Sequence, residues 1–200
     1  MVYSHNMQAT DTYEKLLDAA LRLMLSKGYP ATTVDEICAE AGVSKGSFYH
    51  FFKTKEALGL AAIERFYQRG QHELLNGPFT EIEDPVERAF GYLDHVEARS
   101  TSLWTDGCLL GSFALELADT NPAVREEVSR MFEQLARQMA SVLRPIADRA
   151  GESGPTATAL AEMFLSLLEG SIVLARAHHD PDRIPMAIRR FRRYLERLVA

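Results

Sequence analysis

Six proline-containing turns cut this chain of 200 residues into helical lengths: Gly28-Tyr29-Pro30, Gly77-Pro78, Asp84-Pro85, Asn121-Pro122, Gly154-Pro155 and Asp180-Pro181. Proline breaks a helix from within but fits its first turn. Between these marks the apolar residues recur every three or four positions, the period of a helix with one buried face. The pattern predicts helices over 10–27, 34–41, 45–51, 55–76, 85–101, 107–119, 122–149, 156–178 and 183–199, with a kink at Pro145 in the seventh. The expected fold class is all-α, with nine helices and no sheet.

A content of 46% apolar and 25% charged residues is that of an ordinary globular chain of one or two domains. Two cysteines, Cys38 and Cys108, are too few for a disulfide framework and point to a reducing compartment. The start "MVYSHNMQAT" has neither the basic head nor the apolar run of a leader. The most apolar window, from Leu160, carries Glu162, Glu169 and Arg176, which makes it a poor membrane span. The expectation is a cytoplasmic protein with no membrane partner.

The net charge of −6 is unevenly placed. Residues 1–55 carry six Lys and Arg against six Asp and Glu, so the whole excess of acid lies beyond them, and every Lys lies within them. Between Ala41 and Lys55 there are three Lys, one His and no acid. A local basic patch on an acidic body holds nucleic acid through its phosphates while the rest limits non-specific adhesion. On charge alone, a solvated surface loop is the plainer alternative.

Local signals give that patch a shape. Thr33 followed by Glu36 matches a capping box at the start of the second helix. Val34, Ile37, Cys38 and Ala41 form its inner face, and Gly42 is placed to end it in the left-handed conformation. After Val43, Ser44 is placed to cap a third helix. Two short helices joined by a Gly-containing turn make a helix-turn-helix. In the third helix, at 100° per residue, Phe48, Phe51 and Phe52 share one third of the circumference and form the core face. Lys45, Gly46, Tyr49, His50 and Lys53 cover the opposite arc, with Ser47 at its edge. Positive charge, hydrogen-bonding aromatics and a Gly without bulk suit a helix laid in a major groove, and the Phe side chains anchor a helix too short to stand alone.

Residues 10–70 resemble the DNA-binding domain of the TetR/AcrR family of one-component transcription regulators. The resemblance is carried by "GYPATTVDEICAEAGVSKGSFYHFFKTKEAL", residues 28–58, preceded by an amphipathic helix containing "LLDAALRLM". It implies a helix-turn-helix over 33–52 in a three-helix N-terminal domain and a helical domain over 71–200 that binds an effector and dimerises. It implies that Thr33, Tyr49, His50 and Lys55 contact phosphates, while Ser44, Lys45, Gly46 and Ser47 approach bases or the adjoining backbone. Lys55 has a further reason to serve, because it opens the fourth helix after Thr54, where free amides favour an anion.

The C-terminal half supports the dimer in its own terms. In the last helix Ile184, Ile188, Phe191, Leu195 and Leu198 follow a heptad-like spacing, with arginines elsewhere on its surface. The helix over 156–178 is apolar nearly all round, so it must touch both its own core and something else. A four-helix bundle from two copies would satisfy it, with Phe164, Leu168 and Ile172 on the first helix and Ile188, Phe191, Leu195 and Leu198 on the second. An effector pocket would draw on Tyr92, His95, Trp104, Cys108, Phe113, Met163 and Phe164, although aromatics at helical spacing are more often plain core.

Cys108 lies at the expected start of a helix, where free amides favour a thiolate, and a Gly-Cys here looks like that of TetR-family members sensing electrophiles or oxidants. Against it, no cation stands near in sequence, and Asp106 is acidic. "HHD" at 178–180 suits a helix C-terminus better than a metal. No catalytic constellation, metal-ligand spacing or Gly-rich phosphate loop is visible, so neither an enzyme nor a cofactor is expected. The expected function is a repressor, released from a palindromic double-stranded DNA operator by a small-molecule effector. Its rivals are a thiol-sensing repressor using Cys108 and a helical ligand carrier without DNA function.

Overall fold

A computed structural model describes residues 2–200, with side chains from Asp11 onward. The leader reading of residues 1–10 therefore falls on side chains outside the described set. Among the described residues there are nine α-helices and no strand: α1 (Val2–Lys27), α2 (Val34–Ala41), α3 (Lys45–Phe51), α4 (Lys55–Leu75), α5 (Pro85–Trp104), α6 (Leu109–Leu117), α7 (Pro122–Ala150), α8 (Ala157–His178) and α9 (Arg183–Val199).

The two helices of the helix-turn-helix fall at their expected bounds because their ends are fixed locally. Thr33 Oγ1 accepts the Glu36 N–H while Glu36 reaches back to the Thr33 N–H, completing the capping box. Gly42 stands at φ 65°, and its N–H together with that of Val43 closes the last carbonyls of α2. Ser44 Oγ accepts the Ser47 N–H at 3.1 Å and starts α3.

Other bounds differ from expectation, with physical causes. α1 begins eight residues earlier than its apolar period suggests. A short 3-10 turn, Pro78–Glu81, stands where no element is expected; it buries Phe79, whose ring meets Tyr92 edge-on at 5.2 Å. α5 runs on to the buried Trp104. α6 starts only at Leu109, since Gly107 lies at φ 112° and cannot be helical. Cys108 thus precedes that helix. Pro145 sits inside α7, which continues to Ala150.

The chain forms two compact units, each with its own core. The first joins Met1–Arg69 to Leu109–Val128, and the second joins Gly70–Cys108 to Ser129–Ala200. The first long stretch ends beside the expected division at residue 70, and α6 with the opening of α7 belongs to the same unit as the helix-turn-helix. In that unit α1 packs on α2, α3 and α6. Leu16, Leu17, Ala20, Met24, Ile37, Phe48, Leu58, Ile63 and Phe113 are buried. Removing the Leu, Met, Ile and Phe side chains from water contributes roughly 1.5–3 kcal/mol each.

In the second unit α9 packs on both α5 and α8. Ile184, Ile188, Phe191 and Leu195 are buried, as their spacing predicts, and Phe191 meets Phe164 at 5.1 Å. Arg192 reaches Asp94 at 2.7 Å and lies over the Phe90 ring, while Arg189 reaches Glu97 at 3.3 Å. By length and composition alone α8 is apolar enough to cross a membrane. Its Leu160, Ala161, Phe164, Leu168 and Ile172 are nevertheless buried within the protein.

Candidate nucleic-acid interface

α3 presents the two faces its sequence predicts. Phe48 and Phe52 are buried, and Tyr13 of α1 stacks on Phe52 at 5.2 Å. Phe51 is half-buried rather than core, with its ring edge-on to Tyr13 at 5.9 Å. On the opposite arc Lys45, Gly46, Tyr49, His50 and Lys53 are all exposed. The Ser44 and Ser47 hydroxyls lie 3.0 Å apart at the N-terminal turn. The arrangement places a Gly between a Lys and two hydroxyls, so a base edge or a sugar-phosphate chain can approach the backbone there.

The cations are tied more closely than the sequence suggests. Lys45 Nζ lies 2.6 Å from Asp35 Oδ1 of α2, and this hydrogen bond and charge hold its ammonium above the ordinary lysine value. Both groups are exposed, so the pair contributes little to stability. An acid thus stands on the basic face. The stretch from Ala41 to Lys55 has none, but Asp35 reaches it from the preceding helix. Its exposed position in the first turn of α2 was the available signal.

Lys55 faces inward, which corrects the expectation of a phosphate contact through its side chain. Its ammonium donates to the Tyr29 carbonyl at 3.0 Å and the Thr32 carbonyl at 2.9 Å, and stands 4.1 Å from the centroid of the Tyr29 ring. Burial pushes it below the ordinary lysine value. Thr33 is exposed, but its hydroxyl donates to Glu36 Oε2 at 2.8 Å within the capping box. Glu36 also accepts from Lys27 at 2.5 Å; that bond first, and the Thr33 N–H second, pull its carboxyl down to about 2. Tyr49 and His50 stay on the surface, with His50 edge-on to Phe51.

The proposed effector residues do not share one unit. Phe113 belongs to the first, where its ring meets Tyr29 at 5.4 Å. The others belong to the second. Tyr92 is buried, and burial pushes its hydroxyl above the ordinary tyrosine value. His95 Nε2 donates to the Glu73 carbonyl at 2.8 Å, and its ring lies against Phe79. Trp104 is buried, Phe164 fills the α8–α9 core, and Met163 is exposed. Cys108 is buried, and its thiol hydrogen-bonds the Glu169 carboxyl, which burial raises above the ordinary glutamate value.

The expected dimer residues are also corrected. Phe164, Leu168, Ile172, Ile188, Phe191 and Leu195 are buried inside one chain, and Leu198 is half-buried. The same two helices expose other apolar side chains instead: Met163, Val173 and Leu174 on α8, Met186 and Tyr194 on α9.

Residues 16–62 match the family model described as bacterial regulatory proteins, tetR family. Residues 85–189 match that of the LmrA/YxaF-like transcriptional regulator C-terminal domain. The transcriptional regulator AcuR of Cereibacter sphaeroides is 32% identical over 190 residues, 93% of this chain and 86% of that one. The HTH-type transcriptional repressor DhaR of Mycobacterium sp. strain GP1 is 34% identical over 128 residues, 64% and 63% of the two chains. A crystal structure of a regulatory protein TetR from Rhodobacter sphaeroides superposes with a TM-score of 0.75 at 28% identity, covering 91% of this chain and 97% of that one. A capped helix-turn-helix with an exposed basic face, an all-α body and a family match over both halves lead to one conclusion: this chain belongs to the TetR family of bacterial transcription regulators, which bind DNA and are not enzymes.

Proposed function

We propose that the protein is a dimeric repressor that leaves a palindromic operator when a small-molecule effector binds. The observation that carries this reading is the exposed arc of α3, Lys45 to Lys53, on a helix whose other side is anchored by Phe48 and Phe52. Ser44, Lys45, Gly46 and Ser47 approach bases or the adjoining backbone, and Tyr49 and His50 hold phosphates. Thr33 offers a helix start rather than a free hydroxyl. Lys55 serves through its backbone amide in the first turn of α4, with its side chain holding the loop before α2.

In this reading residues 10–70 are the DNA-binding domain and 71–200 the effector-binding and dimerisation domain. The exposed apolar residues of α8 and α9 form the interface with a second copy, and two-fold symmetry makes the operator a palindrome. The effector is a small, largely apolar molecule held among α5 and α8, near Tyr92, His95 and Trp104. The protein acts on DNA in the cytoplasm. A ligand carrier without DNA function leaves the exposed arc of α3 without a purpose. The thiol-sensing alternative is weakened by the burial of Cys108 and by its Glu169 partner.

A gel shift against the DNA flanking the protein's own gene tests the reading. Sequence-selective retardation that survives excess random duplex is the expected result. Equal binding to random duplex, or none to either, overturns it.

A further inference from the structure

The loop between α1 and α2 is held from outside the helix-turn-helix. Gly28 stands at φ 85°, and a Cβ built there would lie 2.7 Å from Glu116 Oε1, so the bare backbone makes room for that carboxylate. Glu116 Oε2 then accepts the Tyr29 N–H at 2.7 Å across 87 positions of sequence. The other polar groups of the loop are met as well. Thr32 Oγ1 donates to the Gly28 carbonyl at 2.7 Å, and Lys55 holds the Tyr29 and Thr32 carbonyls. Phe113, one turn before Glu116 on α6, packs its ring edge-on to Tyr29. Asn121 adds a second tie by donating to Glu56 of α4 at 2.8 Å.

The loop ends at Thr33, the cap of α2, and α2 passes into α3 through the left-handed Gly42 and the cap at Ser44. Its placement therefore sets where the recognition helix points. Glu116 itself is exposed, so its carboxylate fills no core space and its removal opens no cavity.

Resting on the DNA-binding reading above, we propose that Glu116 of α6 is a positioning residue for DNA binding: by accepting the Tyr29 N–H it fixes the α1–α2 loop, and with it the attitude of α2 and α3. The sign of its effect separates this role from plain electrostatics. Deleting a negative charge beside a phosphate-binding module should strengthen DNA binding. Releasing a clamp should weaken it.

The test uses the full chain with Glu116→Ala and Glu116→Gln. Its readouts are amide hydrogen exchange, thermal melting and titration with a duplex covering the region upstream of the gene, at several salt concentrations. For Glu116→Ala we expect faster exchange at Tyr29 and through residues 29–52, and affinity lowered roughly three- to tenfold, the scale of one ordinary net hydrogen bond. The salt slope should not change, since no phosphate contact is lost. The Gln variant keeps an acceptor and should stay within about twofold of the wild type. Unchanged or raised affinity in Glu116→Ala, or a fall equal in both variants, overturns the proposal. If the wild type does not bind the duplex, the DNA-binding reading fails separately. Exchange then decides the clamp: faster exchange confined to 29–52 upholds it, and an unchanged map overturns it.

Discussion

Lys45 of the recognition helix and Asp35 of the helix before it face each other at 2.6 Å, fully on the surface. An exposed pair of this kind holds its partners loosely. With α3 in the groove as proposed, DNA phosphate would compete with Asp35 for the same ammonium, and the carboxylate would moderate a cation that otherwise binds any duplex.

The first prediction follows from that competition. Asp35→Ala should raise affinity for random duplex and steepen the salt dependence by about one unit, as one more phosphate contact is made. Lys45→Ala should lower the ratio of specific to random binding. Titration at several salt concentrations measures both. An Asp35→Ala protein with the wild-type slope would mean that Lys45 already leaves the pair on DNA.

Lys55 calls for a different outcome. Its ammonium holds two carbonyls of the α1–α2 loop and covers the Tyr29 ring. Lys55→Ala should cost about 1–3 kcal/mol of stability, read as a lower melting temperature, because two carbonyls lose a charged donor. Its salt slope on DNA should match the wild type. A slope reduced by about one unit with unchanged melting would return Lys55 to the phosphate contacts.

These two lysines show where sequence sufficed and where it did not. The capping box of Thr33 and Glu36, the left-handed Gly42 and the cap at Ser44 act over at most four residues, so α2 and α3 were legible to their ends. The partners of Lys55 lie 23 and 26 positions away, and Asp35 faces Lys45 only once the turn between them has formed. Periodicity marks which face of α9 is buried but not by what. That is why Phe191 and Leu195, expected at the surface of a dimer, fill the core of one chain.

The dimer prediction moves accordingly to the outer side of α8. Val173 is 57% exposed and Leu195 fully buried. Val173→Arg should therefore fold normally, sediment as a monomer and lose operator binding. Leu195→Arg should instead unfold the second unit, since an unpaired buried charge costs about 3–5 kcal/mol. A Val173→Arg protein that remains dimeric would place the interface elsewhere.

Two carboxylates give the stability a pH profile with opposite signs. The carboxyl of Glu36 is pulled down to about 2, first by Lys27 and then by the Thr33 N–H. Its contribution is whole above the ordinary carboxylate range and is lost as pH falls through that range towards 2. Glu169 is raised by burial, so the folded state keeps a proton the unfolded chain has released. Stability from this group falls as pH rises from the ordinary carboxylate range through the raised value. Glu169→Gln should flatten the upper limb and leave the acid limb, and Glu36→Gln the reverse. Melting temperatures from pH 3 to 8 distinguish them; an upper limb unchanged in Glu169→Gln would assign it to another group.

The same Glu169 decides what Cys108 can do. A reactive thiol needs solvent access and a nearby positive charge to hold the thiolate. Cys108 is buried, its hydrogen-bond partner Glu169 is acidic, and the helix it precedes starts at Leu109. Burial shields the thiol, so oxidants should reach it slowly. Cys108→Ser should therefore release DNA to the same extent as the wild type when either is treated with peroxide or a quinone. The hydroxyl can still donate to Glu169, so folding is preserved and the comparison concerns reactivity alone. The gel shift reads it directly: a wild type that leaves the operator on treatment, beside a Ser variant that stays bound, would make Cys108 the sensor and Glu169 the base that takes its proton.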